Sequence, residues 1–280
     1  MLLRLILIFA PTLLTAQLKV PDWVSVESNI SYAPHKDTVL DVYRSKRATG
    51  VAKQAGVLVI HGGGWVDGTK ESIFEILCLP YLEKGLVVVN VEYRQAAAAL
   101  APAAVLDALT AAEWFRTNAA KYGVDKNKII VTGGSAGGHL ALMVAMTPKQ
   151  AKLGPVGKVA AVINFYGITD VQDQLEGQNM RKYAVAWLPP TLPDRQELAR
   201  RVSPITWVRK DLPPVITIHG DADTVVPYEH GVDITKALRA AGNTAELIAV
   251  PRGGHGNFGP EKLAELYRLI FNFLEKRKIL

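Results

Sequence analysis

Short, almost uninterrupted apolar runs recur along this chain and restrict its fold more than any other feature. They are Gly56 to Ile60 (GVLVI), Leu86 to Val91 (LVVVNV), Lys128 to Thr132 (KIIVT), Val159 to Phe165 (VAAVINF), Pro214 to Ile218 (PVITI) and Ala245 to Val250 (AELIAV). A strand with one wet face alternates apolar and polar residues, whereas a strand covered on both faces is apolar throughout, as in a parallel sheet packed between helices. Helical patterns lie between the runs. Ala103 to Tyr122 sets Val105, Leu106, Leu109, Ala112, Trp114 and Phe115 near helical spacing behind Pro102, and Tyr228 to Ala241 and Glu261 to Glu275 behave similarly. Ahead of them, Val24 to Tyr32 and Thr38 to Tyr43 alternate in the manner of an antiparallel pair at a sheet edge. The fold class is therefore α/β, with a mostly parallel, doubly wound sheet of about eight strands and helices on both faces.

With 280 residues, 49% of them apolar, the chain can bury a substantial core, and it shows no repeat or linker that would divide it. One domain over residues 17–280 is expected. Residues 169–210 interrupt the alternation with Trp187, the Pro189-Pro190 pair, Pro193 and Pro204. They read as a partly helical insertion over the strand ends, either a small lid or a long connection. Met1 to Ala16 carries one positive charge at Arg4, then an apolar run from Leu5 to Leu14 broken by Pro11, the layout of a secretory signal peptide and too short to span a bilayer. The expected location is secreted or periplasmic, with no stable membrane insertion once the signal is cleaved. The net charge of +6 is scattered rather than clustered, which argues against nucleic-acid binding. The single cysteine, Cys78, forms no internal disulfide and sits among Phe74, Ile76, Leu77 and Leu79 as a buried small hydrophobe. Dispersed histidines and a lone cysteine give no metal-ligand spacing, so neither a metal nor a cofactor is expected.

In open α/β sheets, ligands bind beyond the carboxyl ends of the strands. The chemistry-bearing residues of this sequence fall there. Gly133-Gly134-Ser135-Ala136-Gly137 follows the run ending at Thr132 and precedes the apolar stretch Leu140 to Met146. A serine between small residues in a strand-turn-helix setting is the pattern of a nucleophile on a tight, strained turn, with a helix N-terminus to stabilise developing negative charge. His61-Gly62-Gly63-Gly64-Trp65 follows the first buried run, and its consecutive glycines leave backbone N–H groups free to approach a carbonyl oxygen. The loop lacks the Lys-Ser/Thr of a phosphate loop and the spacing of a dinucleotide site. The amides of Gly63, Gly64 and Ala136 are the candidate oxyanion donors, with Gly62 as a substitute.

A base and an acid are expected later in the chain. His255, in Gly253-Gly254-His255-Gly256 after the last apolar run, is placed to reach a serine hydroxyl, accept its proton and return it to a leaving alcohol. His219-Gly220-Asp221-Ala222-Asp223 supplies two carboxylates in a strand-to-helix loop. Of the other histidines, His35 and His230 read as surface residues, His61 and His219 as loop-orienting residues, and His139 as directed away from Ser135 along the following helix. Trp65, Tyr166 and Trp187 are candidate substrate-binding residues, with core packing the competing role for each.

The combination HGGGW, G-x-S-x-G-G and HG-x-x-D-x-x-VP resembles the esterase branch of the α/β-hydrolases, which includes hormone-sensitive-lipase-like esterases and bacterial feruloyl and acetylxylan esterases. The resemblance runs from about Thr38 to the C-terminus and takes in Val91-Glu92-Tyr93-Arg94, Tyr166-Gly167 and Ser203-Pro204-Ile205. It implies an α/β-hydrolase fold, an acyl-enzyme on Ser135, and Asp223 as the acid, with Asp221 as the fallback. The residues before the first buried run read as strands, not as the helical cap of the hormone-sensitive-lipase-like enzymes. That departure is similar to the compact polysaccharide-deacylating relatives and implies acetyl or feruloyl esters of small molecules or carbohydrate as substrates. An amidase resembling kynurenine formamidase, which also uses an HGG-x-W loop, an exopeptidase, and a non-catalytic binding protein on the same scaffold are the alternatives.

Overall fold

The structure, a computed structural model, describes residues 20–47 and 54–280. The signal-peptide reading of residues 1–16 lies outside the described residues. The elements run β1 (Val24–Ser31), β2 (Val39–Ser45), β3 (Gln54–Ile60), α1 (Leu79–Glu83), β4 (Val87–Val91), α2 (Ala103–Asn118), β5 (Val124–Gly134) and α3 (Ala136–Met146). They continue with β6 (Ala161–Phe165), α4 (Lys182–Trp187), α5 (Arg195–Arg201), β7 (Val215–Gly220), α6 (Glu229–Ala240), β8 (Ala245–Val250) and α7 (Pro260–Glu275).

The strands form one eight-stranded sheet in the order β1-β2-β4-β3-β5-β6-β7-β8. β1 and β2 pair antiparallel, as their alternating patterns predict, and β2 also meets β4 antiparallel. From β4 to β8 every pairing is parallel. The continuous apolar runs have the predicted cause. In β3, Leu58 and Ile60 pack with α2 and α3 on one face, whereas Val57 and Val59 pack with α1 and α7 on the other. All four side chains are fully buried, each contributing roughly 1.5–3 kcal/mol.

The chain leaves β3 for β4 on one side and returns to β5 on the other, so the loops after β3 and β5 open on either side of a topological switch point, where such folds bind ligands. The register brings these loops level, because Ile60 pairs with both Val91 and Gly133, and Gly134 pairs with Phe165.

Local pattern missed the stretch after the glycine loop, which winds through a tight turn (Glu71–Ile73), a π-helical turn (Phe74–Cys78) and the short α1. Cys78 is free and buried there. The insertion at 169–210 contains α4 and α5 and is stitched to the body of the protein. Arg181 donates from Nε to Val225 O and from Nη2 to Thr224 O, both at 2.8 Å. Arg201 Nη2 donates to Ala151 O at 2.8 Å. His230, read from sequence as a surface residue, is buried under this insertion. Its Nδ1 accepts from the Thr169 amide at 3.0 Å, and its Nε2 lies 3.1 Å from Asp173 Oδ2. The insertion covers the opening of α6, which the polar character of that helix start does not disclose.

Candidate active site

The turn at Ser135 follows from sterics. Ser135 has φ 57° and ψ −122°, a strained conformation for a residue with a side chain, and it caps the N-terminus of α3. Its amide is held by Phe165 O at 2.9 Å. Gly133 and Gly137, two positions to either side of Ser135, must lack a Cβ. One added at Gly137 would fall 2.1 Å from Ile60 O, and one at Gly133 would fall 2.4 Å from the Gly137 backbone. As the first residue of α3, Ala136 has no intrahelical acceptor for its N–H, which leaves that donor and the positive end of the helix beside the serine.

The glycine loop after β3 is folded back on itself. Gly63 O accepts from the amides of Val66 and Asp67 at 3.1 and 3.0 Å, and Gly63 and Gly64 take φ values of 109° and 60° that favour glycine. Among the described residues the Gly63 and Gly64 amides meet no acceptor. His61 orients this loop from below, as its sequence position suggests. Its Nε2 lies 2.8 Å from Glu92 Oε1, its Nδ1 lies 2.7 Å from Gly62 O, and its ring stacks on Tyr93 at 4.2 Å. Glu92 also accepts the Lys70 amide at 3.1 Å and so ties both ends of the loop together. The role of Glu92 was not read from sequence, although its place directly after a buried strand was a signal.

The structure brings Asp223 and His255 together: His255 Nδ1 is 2.7 Å from Asp223 Oδ2. The other oxygen, Oδ1, accepts the amides of Val225 and Val226 at 2.8 and 3.0 Å, and His219 Nε2 stands 3.4 Å from Oδ2. Burial alone would raise the pKa of this carboxyl. Hydrogen bonds from His219 and His255, the charge of His255 and the Val225 amide overcome that and hold it well below the usual carboxylate range. Asp221, the fallback acid, is exposed and accepts the Arg252 amide at 2.6 Å instead. His139 is buried, as its direction along α3 implies. Its Nε2 donates to Val202 O at 2.6 Å, its Nδ1 accepts from Trp65 Nε1 at 3.1 Å, and burial pushes its pKa down to about 4.

Ser135, His255 and all three glycines of the loop line one cavity of about 450 Å³. Tyr166 lines it too and meets the His255 ring at 4.7 Å in a T-shaped contact. Burial, with a contribution from Asp223, raises the Tyr166 phenol to about 12, so it stays protonated at neutral pH. Trp65 and Trp187 are the correction to the sequence reading. Neither lines the cavity; they stack on each other at 4.2 Å with no exposed surface and form part of the core beneath the insertion. Tyr183 occupies the place expected of them. Its ring lies over Gly64, where an added Cβ would come within 2.6 Å of it, and its hydroxyl donates to Gln174 Oε1 at 2.9 Å. Ile73, Ile76, Leu77, Val225 and Asn257 complete the wall. Apart from His255, no His, Asp, Glu, Lys or Arg side chain lines it. The arrangement suits an uncharged carbonyl substrate attacked by a serine hydroxyl, with amide donors for the oxygen. Among the described residues no group of His, Cys, Asp and Glu could hold a metal ion, and no helix is long and apolar enough to cross a membrane.

A family model described as BD-FAE matches residues 40–238. Among curated proteins, the chain is 32% identical over 238 residues to Esterase LipC of Mycobacterium tuberculosis, covering 81% of this chain and 59% of that protein. It is 29% identical to Esterase LipQ of the same organism, covering 81% of this chain and 56% of the relative. The chain thus spans less than two thirds of the length of these relatives. Among solved structures, a truncated carbohydrate esterase from gut microbiota superposes with a TM-score of 0.77 at 28% identity, covering 89% of this chain and 95% of that one.

Proposed function

The chain belongs to the BD-FAE family of α/β-hydrolase esterases, and on that footing we propose that it is a serine carboxylesterase for short-chain or aromatic acyl esters, with acetyl or feruloyl groups on plant polysaccharide as the natural substrates. The observation that carries this reading is the 2.7 Å contact between Asp223 and His255 in a cavity that also holds Ser135 on its strained turn. Asp223 keeps the proton of the neutral imidazole on Nδ1, leaving the Nε2 lone pair to act as base. His255 takes the Ser135 proton as Oγ bonds to the ester carbonyl carbon. The oxyanion accepts hydrogen bonds from the Gly63, Gly64 and Ala136 amides. The tetrahedral adduct collapses, His255 protonates the departing alkoxide, and the acyl group stays on Oγ. Water then attacks by the same route, releasing the carboxylic acid and restoring the serine.

The apolar wall and the absence of a charged anchor support an ester over a peptide terminus as substrate. The likeness to a carbohydrate esterase supports a carbohydrate alcohol. The N-terminal segment adds export to the proposal, which N-terminal sequencing of protein recovered outside the cytoplasm would test. The function itself is tested with p-nitrophenyl acetate, butyrate and longer esters. Short-chain turnover should fall by about 10⁴–10⁶-fold in Ser135→Ala, and equal activity in the two proteins would refute the assignment.

A further inference from the structure

A second concavity, of about 700 Å³, lies between the π-helical turn with α1 on one side and α7 on the other. Ile76 belongs to both this groove and the cavity that holds Ser135, and its side chain is 47% exposed. Ile76 is the one residue common to both linings, and its turn is held by a hydrogen bond from the Tyr267 hydroxyl to Ile76 O at 2.5 Å. The groove starts at Pro260, just after the His255 loop, and follows α7 to Glu275, a path of about 22 Å at the rise of an α-helix.

Its surface mixes apolar and polar groups. Pro80, Leu263 and Phe271 supply apolar faces, while Glu83, Arg268 and Asn272 stand exposed along the rims. Lys84 is partly committed, 4.8 Å over the Phe271 ring and 3.5 Å from Glu275. Acidic groups at least match basic ones along the groove, so it holds no excess positive charge for a polyanion. Apolar faces between polar donors and acceptors fit a neutral chain whose units carry both hydroxyl edges and C–H faces.

We propose that the α1–α7 groove is the binding site for the alcohol side of the substrate, a neutral oligosaccharide that enters over Ile76 with its acylated unit at Ser135. This rests on the esterase reading, because the groove has a use in catalysis only if an ester is cleaved at Ser135. Remote binding of this kind raises kcat/KM for long substrates without touching the reacting atoms.

The test has two readouts. Binding of unsubstituted xylo-oligosaccharides of increasing length is measured by calorimetry on Ser135→Ala, where no turnover interferes. Hydrolysis of acetylated xylo-oligosaccharides is measured on the active protein, each rate divided by that for p-nitrophenyl acetate. Affinity and the rate ratio are expected to rise with chain length. Arg268→Ala and Asn272→Ala should each lower both by about fivefold, the scale of one hydrogen bond lost. Affinity that ignores chain length, or that is unchanged in both variants, overturns the groove assignment whatever the small ester shows. Loss of p-nitrophenyl acetate turnover by the active protein would instead fault the esterase reading, since that substrate does not reach the groove.

Discussion

Gly137 offers the sharpest test of how the site is built. An added Cβ there would lie 2.1 Å from Ile60 O and 2.6 Å from His61 O. Side-chain carbons are not tolerated nearer than about 3 Å to a backbone oxygen, so Gly137→Ala requires a shift of roughly 0.9 Å between the start of α3 and the end of β3. Neither element can yield privately. The end of β3 is paired to both β4 and β5, and it carries the Gly63 and Gly64 amides, while the start of α3 carries Ser135 and the Ala136 amide. The movement therefore separates the proposed nucleophile from two of the three amides proposed as oxyanion donors. A misplacement of about 1 Å costs on the order of 10²-fold in rate, or roughly 2.7 kcal/mol of transition-state stabilisation. Overpacking should destabilise the fold by about 1–3 kcal/mol, a modest fall in melting temperature for a chain of this size. Gly254 provides the control: it adjoins His255, yet a Cβ there meets nothing within 4 Å. Hydrolysis of p-nitrophenyl acetate should drop at least a hundredfold in Gly137→Ala and by less than about threefold in Gly254→Ala. Similar losses in the two variants, or full activity in Gly137→Ala with an unchanged melting temperature, would refute the packing argument.

Asp223→Asn keeps the shape of the site but presents the wrong partner to His255 Nδ1, and should lower kcat by about 10³–10⁴-fold with circular dichroism unaltered. Because the folded pKa of Asp223 lies below its ordinary value of 3.8, its contribution to stability is fully present above that value and is lost as the pH falls further. Urea midpoints of the wild type and Asp223→Asn should accordingly keep a constant separation from pH 7 down to about 4 and draw together only below it, as the pH falls toward the folded pKa. His139 shows the opposite charge type with the same direction of loss: with a folded pKa of about 4 against an ordinary 6.5, the unfolded chain takes up the proton first as pH drops between those values. Its ring resonances should titrate with a midpoint near 4 in the folded protein, and a midpoint near 6.5 would contradict its burial. Tyr183→Ala removes the ring over Gly64 and should shift preference toward longer acyl chains, by up to about fourfold per added methylene in kcat/KM relative to acetate. A chain-length profile identical to wild type would remove Tyr183 from the acyl pocket wall.

The parts of the site that were legible in the sequence are those where backbone geometry leaves no choice of residue. Gly133 and Gly137 have neighbouring carbonyls where a Cβ would go, and Gly63 and Gly64 hold φ values that other residues adopt at a cost. Such positions announce themselves as clusters of glycine around one serine or after one strand. The buried strands were legible for a related reason, since a run covered on both faces has to be apolar at every position. Asp223 was distinguished from Asp221 only by the resemblance to a family. The structure separates them physically, because two consecutive amides converge on Asp223 Oδ1 while Asp221 faces the exposed turn at Arg252.

The residues that escaped sequence reasoning are those whose role depends on what packs above them. Nothing local tells whether Trp65 faces ligand or core; the answer is set by α4, which arrives from a segment more than a hundred residues later and lays Trp187 on it. Once the two indoles are stacked, the cavity wall falls to Tyr183, four residues before Trp187 on the same short helix. His230 follows the same logic from the other end of the insertion, since it is buried because Thr169 and Asp173 close over it. Ile73, Ile76 and Leu77 were opaque because an apolar run this short reads alike as strand, helix or loop, and only its winding as a π-helical turn directs Ile76 outward. On the proposed reading, specificity therefore resides in the insertion and in that turn, both added to a serine turn and glycine loop that the backbone fixes. Substitutions at Tyr183 or along the α1–α7 groove should change which esters are cleaved, while those at the glycines should change whether any ester is cleaved at all.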